Sequence, residues 1–237
     1  MCTVIYIPSE SGAYMCSVRD ENPMRERAHF PKKITEKQAA FWAPIDPKGG
    51  GTWWTMNETG DLTILLNGAF HNHLPNTRSY RKSRGLIVIE LSQEVNFKNA
   101  WENLDLNDIE PFTLVHKCTS QLIECRWNGT NKFWKEVAID QPHIWSSATL
   151  YPLEIRRKRE LLFYEFLKTP VSKALEIEPF LFKHAEPVNG FIMHRLETLR
   201  SLSVSILDIR KSSAEIYYHD LLSEKHQSNT ISLKKTL

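Results

Sequence analysis

Short β-rich segments separated by turn-forming residues run along most of this chain, and they constrain its fold more than any other feature. Residues 2–7 are apolar, β-branched and aromatic, which predicts a strand that is buried on both faces. Residues 9–12 have the composition of a turn, and residues 13–18 predict a returning strand, so the chain opens with a hairpin. Further strands are predicted over residues 52–56, 62–66, 111–116, 120–127, 132–139, 202–209 and 214–218.

Helices are predicted mainly in the middle of the chain. Residues 152–168 begin with a proline, carry an apolar face and are followed by Pro170, all of which is typical of a helix. A second helix is predicted over residues 172–184. Residues 86–91 are compatible either with a strand or with a helix that Ser83 caps.

The remaining segments are polar. A polar stretch follows the first hairpin, and Gly49-Gly50-Gly51 then forms a flexible approach to the next apolar run. The basic residues 156–159 are expected on the solvent face of their helix. Residues 225–237 are expected to form a frayed polar tail. Many strands with clustered helices predict an α+β protein, and the absence of a linker predicts one domain over residues 1–237.

Charge and hydropathy exclude several classes of protein. The 237 residues include 30 Lys and Arg against 28 Asp and Glu, a net charge of +2, and 41% are hydrophobic. This composition argues against a disordered chain and against a dedicated nucleic-acid binder. No apolar run has the length of a membrane span, and the N-terminus lacks the basic region of a signal peptide, so we expect a cytoplasmic protein. Its four cysteines form no Cys-x-x-Cys pair and are expected to be free thiols.

Cys2 is the first candidate for chemistry. Removal of Met1 would make it the N-terminal residue, and its own α-amino group could then act as the base for its thiol. Nucleophile and base on one residue is the principle of N-terminal nucleophile catalysis. The alternative is a buried strand cysteine without a catalytic role.

Arg19 and Asp20 follow the second strand of the hairpin, which brings them beside the start of the first strand and so near Cys2. An arginine there would favour the thiolate form of Cys2, and an aspartate could hold the amine. The alternative is a solvated, charged end of a hairpin. Asn67, at the end of a predicted strand, is either a turn residue or a donor to an oxyanion.

Aromatic and basic residues supply candidate binding groups. Trp53 and Trp54 could contact an apolar ligand, and the basic residues Arg78, Arg81, Lys82 and Arg84 could bind an anionic one, although such a run is usually a solvated loop. His71-Asn72-His73 lacks a matching carboxylate or cysteine, and we therefore expect no bound metal.

Five short motifs occur in register along the chain. They are Met1-Cys2-Thr3, Arg19-Asp20-Glu21, Gly50-Gly51-Thr52-Trp53, Asn67 and Ser83-Arg84-Gly85. In this order and spacing the chain resembles the NRDE family, whose animal branch is called transport and Golgi organisation protein 2. Residues 145–151 are similar to a later motif of the bacterial branch, and the resemblance covers most of residues 1–210.

The NRDE family is similar to the N-terminal nucleophile hydrolases, which implies a four-layer αββα sandwich with two antiparallel sheets between helices. The related cholylglycine hydrolases and penicillin V acylases also begin with Met-Cys and carry an arginine and an aspartate after the first hairpin. The resemblance implies that Cys2 is the nucleophile, that Arg19 and Asp20 flank it and that Asn67 lies on the oxyanion side.

Two positions depart from the family pattern. Val18 stands where the NRDE motif has asparagine, and Ser146-Ser147 stand where relatives carry a second functional asparagine.

The sequence therefore predicts a hydrolase of linear, non-peptide amide bonds that acts on a small amide or acylated substrate through a Cys2 thioester, without a cofactor. The alternative is a non-catalytic protein that binds haem or an acylated ligand on the same scaffold. Trp53 and Arg84 are the candidate substrate-binding residues under either hypothesis.

Overall fold

The computed structural model describes residues 3–36, 39–72, 80–195 and 198–234, which form two compact units. One unit contains the described chain up to Arg25 and from Asp140 to Leu233, and the other contains Glu26–Ile139 with Lys234. The described residues of each unit include one seven-stranded sheet in which all neighbours are antiparallel. The single domain that the sequence predicts stays a prediction.

The strands are β1 (Thr3–Ser9), β2 (Gly12–Glu21), β3 (His29–Glu36), β4 (Ala39–Ile45), β5 (Trp54–Asn57), β6 (Leu62–Asn67), β7 (Phe112–Lys117), β8 (Leu122–Trp127), β9 (Lys132–Val137), β10 (His143–Ser146), β11 (His194–Arg195), β12 (Leu199–Arg210), β13 (Ser213–Asp220) and β14 (Lys225–Ser232). The helices are α1 (Arg84–Ser92), α2 (Phe97–Asn103), α3 (Leu153–Phe166) and α4 (Ile177–Lys183), and a 3₁₀ turn (Ala174–Glu176) precedes α4.

The sheet of the first unit has the strand order β10-β1-β2-β12-β13-β14, with β11 beside β12. The predicted opening hairpin is confirmed, since β1 pairs with β2 from Thr3 opposite Val18 to Ser9 opposite Gly12. β1 is an inner strand, and its residues from Thr3 to Ile7 are all buried, as its continuous apolar run predicts.

One face of this sheet packs against α3, the 3₁₀ turn and α4. Alternate residues of the strands point to this face, and aromatic residues of the helices cover them. The resulting core contains Ile5, Ile7, Tyr14, Cys16, Val18, Phe163, Ala174, Ile177, Phe180, Leu181, Phe191, Val204 and Ile206. The helix predicted over residues 152–168 is thereby confirmed, with its helical residues at Leu153–Phe166.

The sheet of the second unit runs in chain order from β3 to β9. Helices α1 and α2 pack on it through a core that includes Leu65, Ile87, Leu91, Trp101, Phe112, Leu114 and Ile123. The segment that the sequence left open between strand and helix is helix α1, and the Ser83 hydroxyl accepts a hydrogen bond from the Gly85 amide at 3.3 Å as its N-cap.

Two of the family-like motifs meet inside the second unit. A Cβ at Gly51 would lie 2.6 Å from the carbonyl carbon of Gly85, and a Cβ at Gly85 would lie 2.8 Å from the Thr52 carbonyl oxygen. The Thr52 amide donates to the Gly85 carbonyl at 3.2 Å. These glycines therefore allow the approach to β5 and the start of α1 to pack backbone against backbone.

Strands form in two segments for which the sequence predicts none. Residues 225–232 form strand β14, so the expectation of a frayed tail is wrong there, and the stretch after the first hairpin contains β3 and β4. β14 pairs with β13 over its full length, yet Ile231 is its one fully buried residue. β3 and β14 are the end strands of their sheets, and such strands carry little hydrophobic signal because backbone hydrogen bonds to the neighbouring strand hold them in place. β4 is an inner and largely apolar strand, so this reason does not apply to it.

None of the described helices combines the length and the apolar composition that a membrane crossing requires.

We expect β14 to contribute to stability through Ile231, which is 5% exposed. Ile231→Ala should lower the free energy of unfolding by about 2–3 kcal/mol, the lower half of the range for buried isoleucine, because this strand ends the sheet. The exposed neighbour Thr230 supplies the control, and Thr230→Ala should stay within about 0.5 kcal/mol of the wild type in urea unfolding. Equal unfolding curves for both variants would contradict a folded β14.

Candidate active site

Arg19 and Asp20 lie near the end of β2 and are buried, with 4% and 3% of their surface exposed. The interpretation as a solvated hairpin end is therefore wrong. Because neighbouring residues of a strand point to opposite faces, Asp20 continues the row of Cys16 and Val18 toward the helices, whereas Arg19 points to the other face. Cys2, the predicted nucleophile, lies outside the described residues, and the first described residue, Thr3, pairs with Val18.

Asp20 is held by hydroxyl groups. The Ser201 hydroxyl donates to Asp20 Oδ1 at 2.5 Å and accepts a hydrogen bond from the Met193 amide at 2.9 Å. The Tyr151 hydroxyl lies 3.5 Å from Asp20 Oδ2 and 3.6 Å from the Met193 sulfur. A buried carboxylate needs such donors, because burial removes its hydrogen bonds to water. The Asp20 side chain is thereby fixed in orientation.

A β-bulge in β12 lies beside this pair. Ser201 is opposite Asp20 and Ser203 is opposite Arg19, so that Leu202 is the extra residue. A bulge changes the direction of the side chains around it and is common next to functional sites. Here it separates Ser201, which contacts Asp20, from Ser203, which is paired in register with Arg19.

Arg19 is close enough to Tyr218 on β13 to affect its ionisation. Burial raises the pKa of the Tyr218 phenol, and the positive charge of Arg19 acts in the opposite direction. The Arg19 guanidinium thus lies within a buried part of the first unit, where a charge acts more strongly than it does in water.

Arg159 of α3 corrects a second expectation. It was expected among the solvent-facing residues 156–159, but it is 2% exposed. Its Nε donates to Ser146 Oγ at 3.0 Å, one terminal nitrogen donates to the carbonyls of Asn189 at 2.9 Å and Gly190 at 2.6 Å, and the other donates to Thr3 Oγ1. The guanidinium therefore joins β1, β10 and the loop before β11.

Two aromatic rings lie against the Arg159 guanidinium. Its central carbon is 4.3 Å from the ring centre of Tyr151 and 4.1 Å from that of Phe191. These distances allow cation–π attraction, which increases when the cation is desolvated. Arg159 thereby positions Tyr151, and the hydroxyl of the same ring points to Asp20.

Gly190 makes this contact possible. A Cβ at this position would lie 2.1 Å from the Glu186 backbone nitrogen, so a side chain would displace the loop whose carbonyl accepts from Arg159.

Ser146 and Ser147, which stand where relatives carry a second functional asparagine, differ in their contacts. Ser146 Oγ accepts from Arg159, whereas Ser147 is buried with its hydroxyl 2.8 Å from that of Thr149. A role of either residue as an oxyanion donor stays a prediction.

Cys16 and Cys125 are poor candidates for a nucleophile. Both thiols are buried, and this burial raises the pKa of each well above its ordinary value. They are therefore protonated at neutral pH and inaccessible to reagents. Cys118 is half-buried.

Asn67 and Trp53 lie in the second unit. Asn67 ends β6, where it is half-buried and pairs with Phe112 of β7. Trp53 is 3% exposed and precedes β5. Their roles as oxyanion donor and substrate-binding residue stay predictions.

The described members of the basic run are paired with carboxylates of the second unit. Arg84 Nη2 lies 3.0 Å from Glu110 Oε2, Arg81 lies 3.0 Å from Asp105, and Lys82 pairs with Glu90. Arg78 and His73 lie outside the described residues. Arg84 therefore has a structural partner, and its role toward a substrate stays a prediction.

The sequence missed Tyr151, Arg159 and Ser201. Tyr151 ends the motif at residues 145–151, which was recognised without a role for its tyrosine. Arg159 precedes the buried Phe163 by four residues, and this helical spacing would have placed it on the inner face. Ser201 has no local signal, because its contact with Asp20 follows from the pairing of β12 with β2.

Comparison with known proteins agrees with this fold. The model of the family Transport and Golgi organisation 2 matches residues 1–154. Two solved variants of the conjugated bile acid hydrolase from Clostridium perfringens match with a TM-score of 0.59 each, at 10% and 12% identity, covering 100% of this chain and 97% and 98% of theirs. The Caenorhabditis elegans ortholog of N-acylethanolamine-hydrolyzing acid amidase matches with a TM-score of 0.50 and 10% identity over 87% of this chain and 92% of its own. No curated protein sequence matches significantly.

At these identities the solved structures show the fold alone. The predicted fold class, an α+β protein of the N-terminal nucleophile hydrolase type with two antiparallel sheets, is confirmed.

We expect Arg159 to be essential for stability. Arg159→Met should lower the free energy of unfolding by at least about 2 kcal/mol, because the buried oxygens that accept from the guanidinium lose their donor. Arg159→Lys should recover part of this loss, since an ammonium group cannot reach all these acceptors from one position.

The exposed Arg157 on the same helix provides the matched control. Urea unfolding of Arg157→Met should differ from that of the wild type by no more than about 0.5 kcal/mol. A similar small effect for Arg159→Met would show that the guanidinium does not hold these elements together.

Proposed function

The chain belongs to the Transport and Golgi organisation 2 family, and on this premise we propose that it is an N-terminal-cysteine hydrolase of linear, non-peptide amide bonds. Cys2 is the proposed nucleophile, acting after removal of Met1. The observation that carries the proposal is the buried Arg19–Asp20 pair, which lies near the end of β2, the strand that pairs with β1. Burial of two adjacent charges on the second strand of a hairpin is costly and is typical of functional sites.

In the proposed reaction, the Cys2 thiol transfers its proton to the α-amino group of the same residue. The sulfur attacks the amide carbonyl carbon, and the resulting tetrahedral intermediate expels the amine, which takes the proton from the α-ammonium group. Water, deprotonated by the α-amino group, then attacks the thioester, releasing the acid and restoring the thiol. No cofactor takes part in either step.

Each predicted residue has a role in this scheme. Arg19 favours the thiolate by its positive charge, and Asp20 orients the α-amino group. Ser201 and Tyr151 act through Asp20 as positioning residues, because their hydroxyls fix its carboxylate. Asn67 is the proposed donor to the oxyanion.

The similar solved proteins support the choice of reaction. The bile acid hydrolase also has a cysteine as its second residue, which alanine replaces in one of the solved variants. Its name describes hydrolysis of conjugated bile acids, and that of the nematode protein describes hydrolysis of N-acylethanolamines. We therefore propose substrates in which an amide joins an acyl group to a small amine, with Trp53 and Arg84 as the proposed substrate-binding residues.

We expect an acyl-bearing β-lactone to label the N-terminus covalently. The Cys2 thiolate should open the lactone to a thioester, so that intact mass increases by the mass of one probe on a chain that lacks Met1. Peptide mapping should place the adduct on Cys2. Cys118→Ser should be labelled as fast as the wild type, whereas Cys2→Ser should lose the thioester adduct.

Retention of Met1, or an adduct on Cys118 alone, would contradict the hydrolase proposal. The non-catalytic alternative, binding of haem or an acylated ligand, would then be favoured. Cys16 and Cys125 should stay unlabelled in the native protein, because their burial raises the pKa of both thiols.

We expect Arg19 and Asp20 to control the reactivity of Cys2. The pH profile of iodoacetamide alkylation at Cys2 should shift to higher pH in Arg19→Lys, whose flexible ammonium group lacks the planar fork of arginine. It should shift further in Arg19→Ala, which removes the positive charge. At pH values below the thiol pKa, a displacement of one pH unit lowers the rate about tenfold. Asp20→Asn should also change the profile, because a neutral amide holds the α-ammonium group less strongly.

Glu21→Gln is the control for a general charge effect, since Glu21 is the next residue of β2 and is only half-buried. Thermal melts would identify variants that do not fold. Wild-type pH profiles in folded Arg19→Ala and Asp20→Asn proteins would show that the pair is not coupled to Cys2.

A further inference from the structure

Three potential metal ligands converge at one end of the first unit, on elements that the proposed reaction does not use. They are Glu178 of α4, His219 of β13 and His226 of β14, and one ligating atom of each lies within 4.8 Å of those of the other two. Among the residues that the structure describes, this is the only group of three histidine, cysteine or acidic side chains with such a geometry.

The two histidines are placed by strand pairing. His219 and His226 are directly opposite each other in the β13–β14 ladder, so their side chains share a face of the sheet. Their ring centres are 3.8 Å apart and the planes are inclined by 28°. A ring nitrogen of each imidazole lies within 4.8 Å of one of the other, so both histidines are near enough to coordinate one ion.

Helix α4 supplies the acidic group. Glu178 Oε1 lies 2.7 Å from His219 Nδ1, and both groups are at most half-exposed. Ligand atoms of a tetrahedral zinc site are about 3.3 Å apart, given metal–ligand distances of about 2.0–2.1 Å. Small rotations of the three side chains therefore suffice to admit an ion between them.

The chemistry of this set fits a transition metal better than Ca²⁺ or Mg²⁺. Imidazole nitrogen suits Zn²⁺ and its neighbours in the first transition series, whereas Ca²⁺ and Mg²⁺ prefer oxygen ligands alone. Two histidines and one glutamate make three protein ligands, which is the number that leaves one position of a zinc ion open.

Two cavities adjoin the cluster of Glu178, His219 and His226. All three residues line a cavity of about 300 Å³, and both histidines also line one of about 630 Å³. The larger cavity is lined in addition by Ser201, which donates to Asp20, and by Met193, whose amide donates to Ser201. A ligand on the open position of the metal would therefore have space.

We propose that Glu178, His219 and His226 form a binding site for a divalent transition-metal ion of the Zn²⁺ class, with one coordination position open to these cavities. The site is separate from the Cys2 chemistry, and its test does not depend on any activity.

The test measures Zn²⁺ affinity of the untagged, metal-free chain by competition with a chromophoric chelator. The expected result is one high-affinity ion per chain and a rise in melting temperature with Zn²⁺ concentration. Substitution of a residue that hydrogen-bonds a metal ligand lowers metal affinity about 10–100-fold. Substitution of a ligand itself should lower the affinity at least as much, and we expect this in Glu178→Gln, His219→Gln and His226→Gln. Co²⁺ should give the visible absorption of a tetrahedral site in the wild type but not in these three variants.

His194→Gln is the matched control, because His194 lines the larger cavity but is not part of the cluster, and its Zn²⁺ affinity should equal that of the wild type. His226 is exposed, so its substitution leaves the fold intact and keeps the test decisive. The same titration in Cys2→Ser excludes the N-terminal thiol as the ligand. Unchanged affinity in His226→Gln, or loss of the ion in Cys2→Ser, would overturn the proposal.

Discussion

A guanidinium removed from water must find acceptors for its N–H groups, and this requirement organises the first unit around Arg159. Its partners are hydroxyl and carbonyl oxygens from Thr3, Ser146, Asn189 and Gly190, with aromatic rings on either side. These groups belong to different segments of the chain, and each must be in place before the charge can be buried. Burial of the Arg159 guanidinium therefore requires that these segments are correctly assembled, and its hydrogen bonds then hold them together.

The order of the candidate site follows from this contact. The Tyr151 ring lies against the Arg159 guanidinium, its hydroxyl approaches Asp20, and Asp20 receives a second hydrogen bond from Ser201. All of these groups except Tyr151 are on strands or helices, and such elements hold side chains more rigidly than loops do. The carboxylate of Asp20 is thus oriented before any substrate binds, which reduces the reorganisation needed during a reaction.

Most inner strands could be predicted from the sequence, but the polar end strands β3 and β14 and the apolar inner strand β4 were missed. β1 and β6 are inner strands with nearly continuous apolar runs, whereas β14 and β3 are end strands that alternate polar residues with few buried ones. The same limit applies to the site. Arg19 and Asp20 were found because a hairpin brings them to the start of β1, but Ser201 depends on the pairing of β12 with β2, 181 residues away from Asp20.

A sequence motif shared by a family can have a structural reason or a chemical one, and the motifs of this chain differ in this respect. Gly51 and Gly85 touch through their backbones, and Arg84 is paired with Glu110, so these motifs have structural reasons for their composition. Arg19 and Asp20 differ, because two buried charges on one strand stabilise the fold less than apolar residues of similar size would. Arg159 is a buried charge whose partners give it a structural role, whereas Arg19 and Asp20 are two buried charges on adjacent residues of one strand. We therefore base the proposed chemistry on this pair and not on the motifs of the second unit.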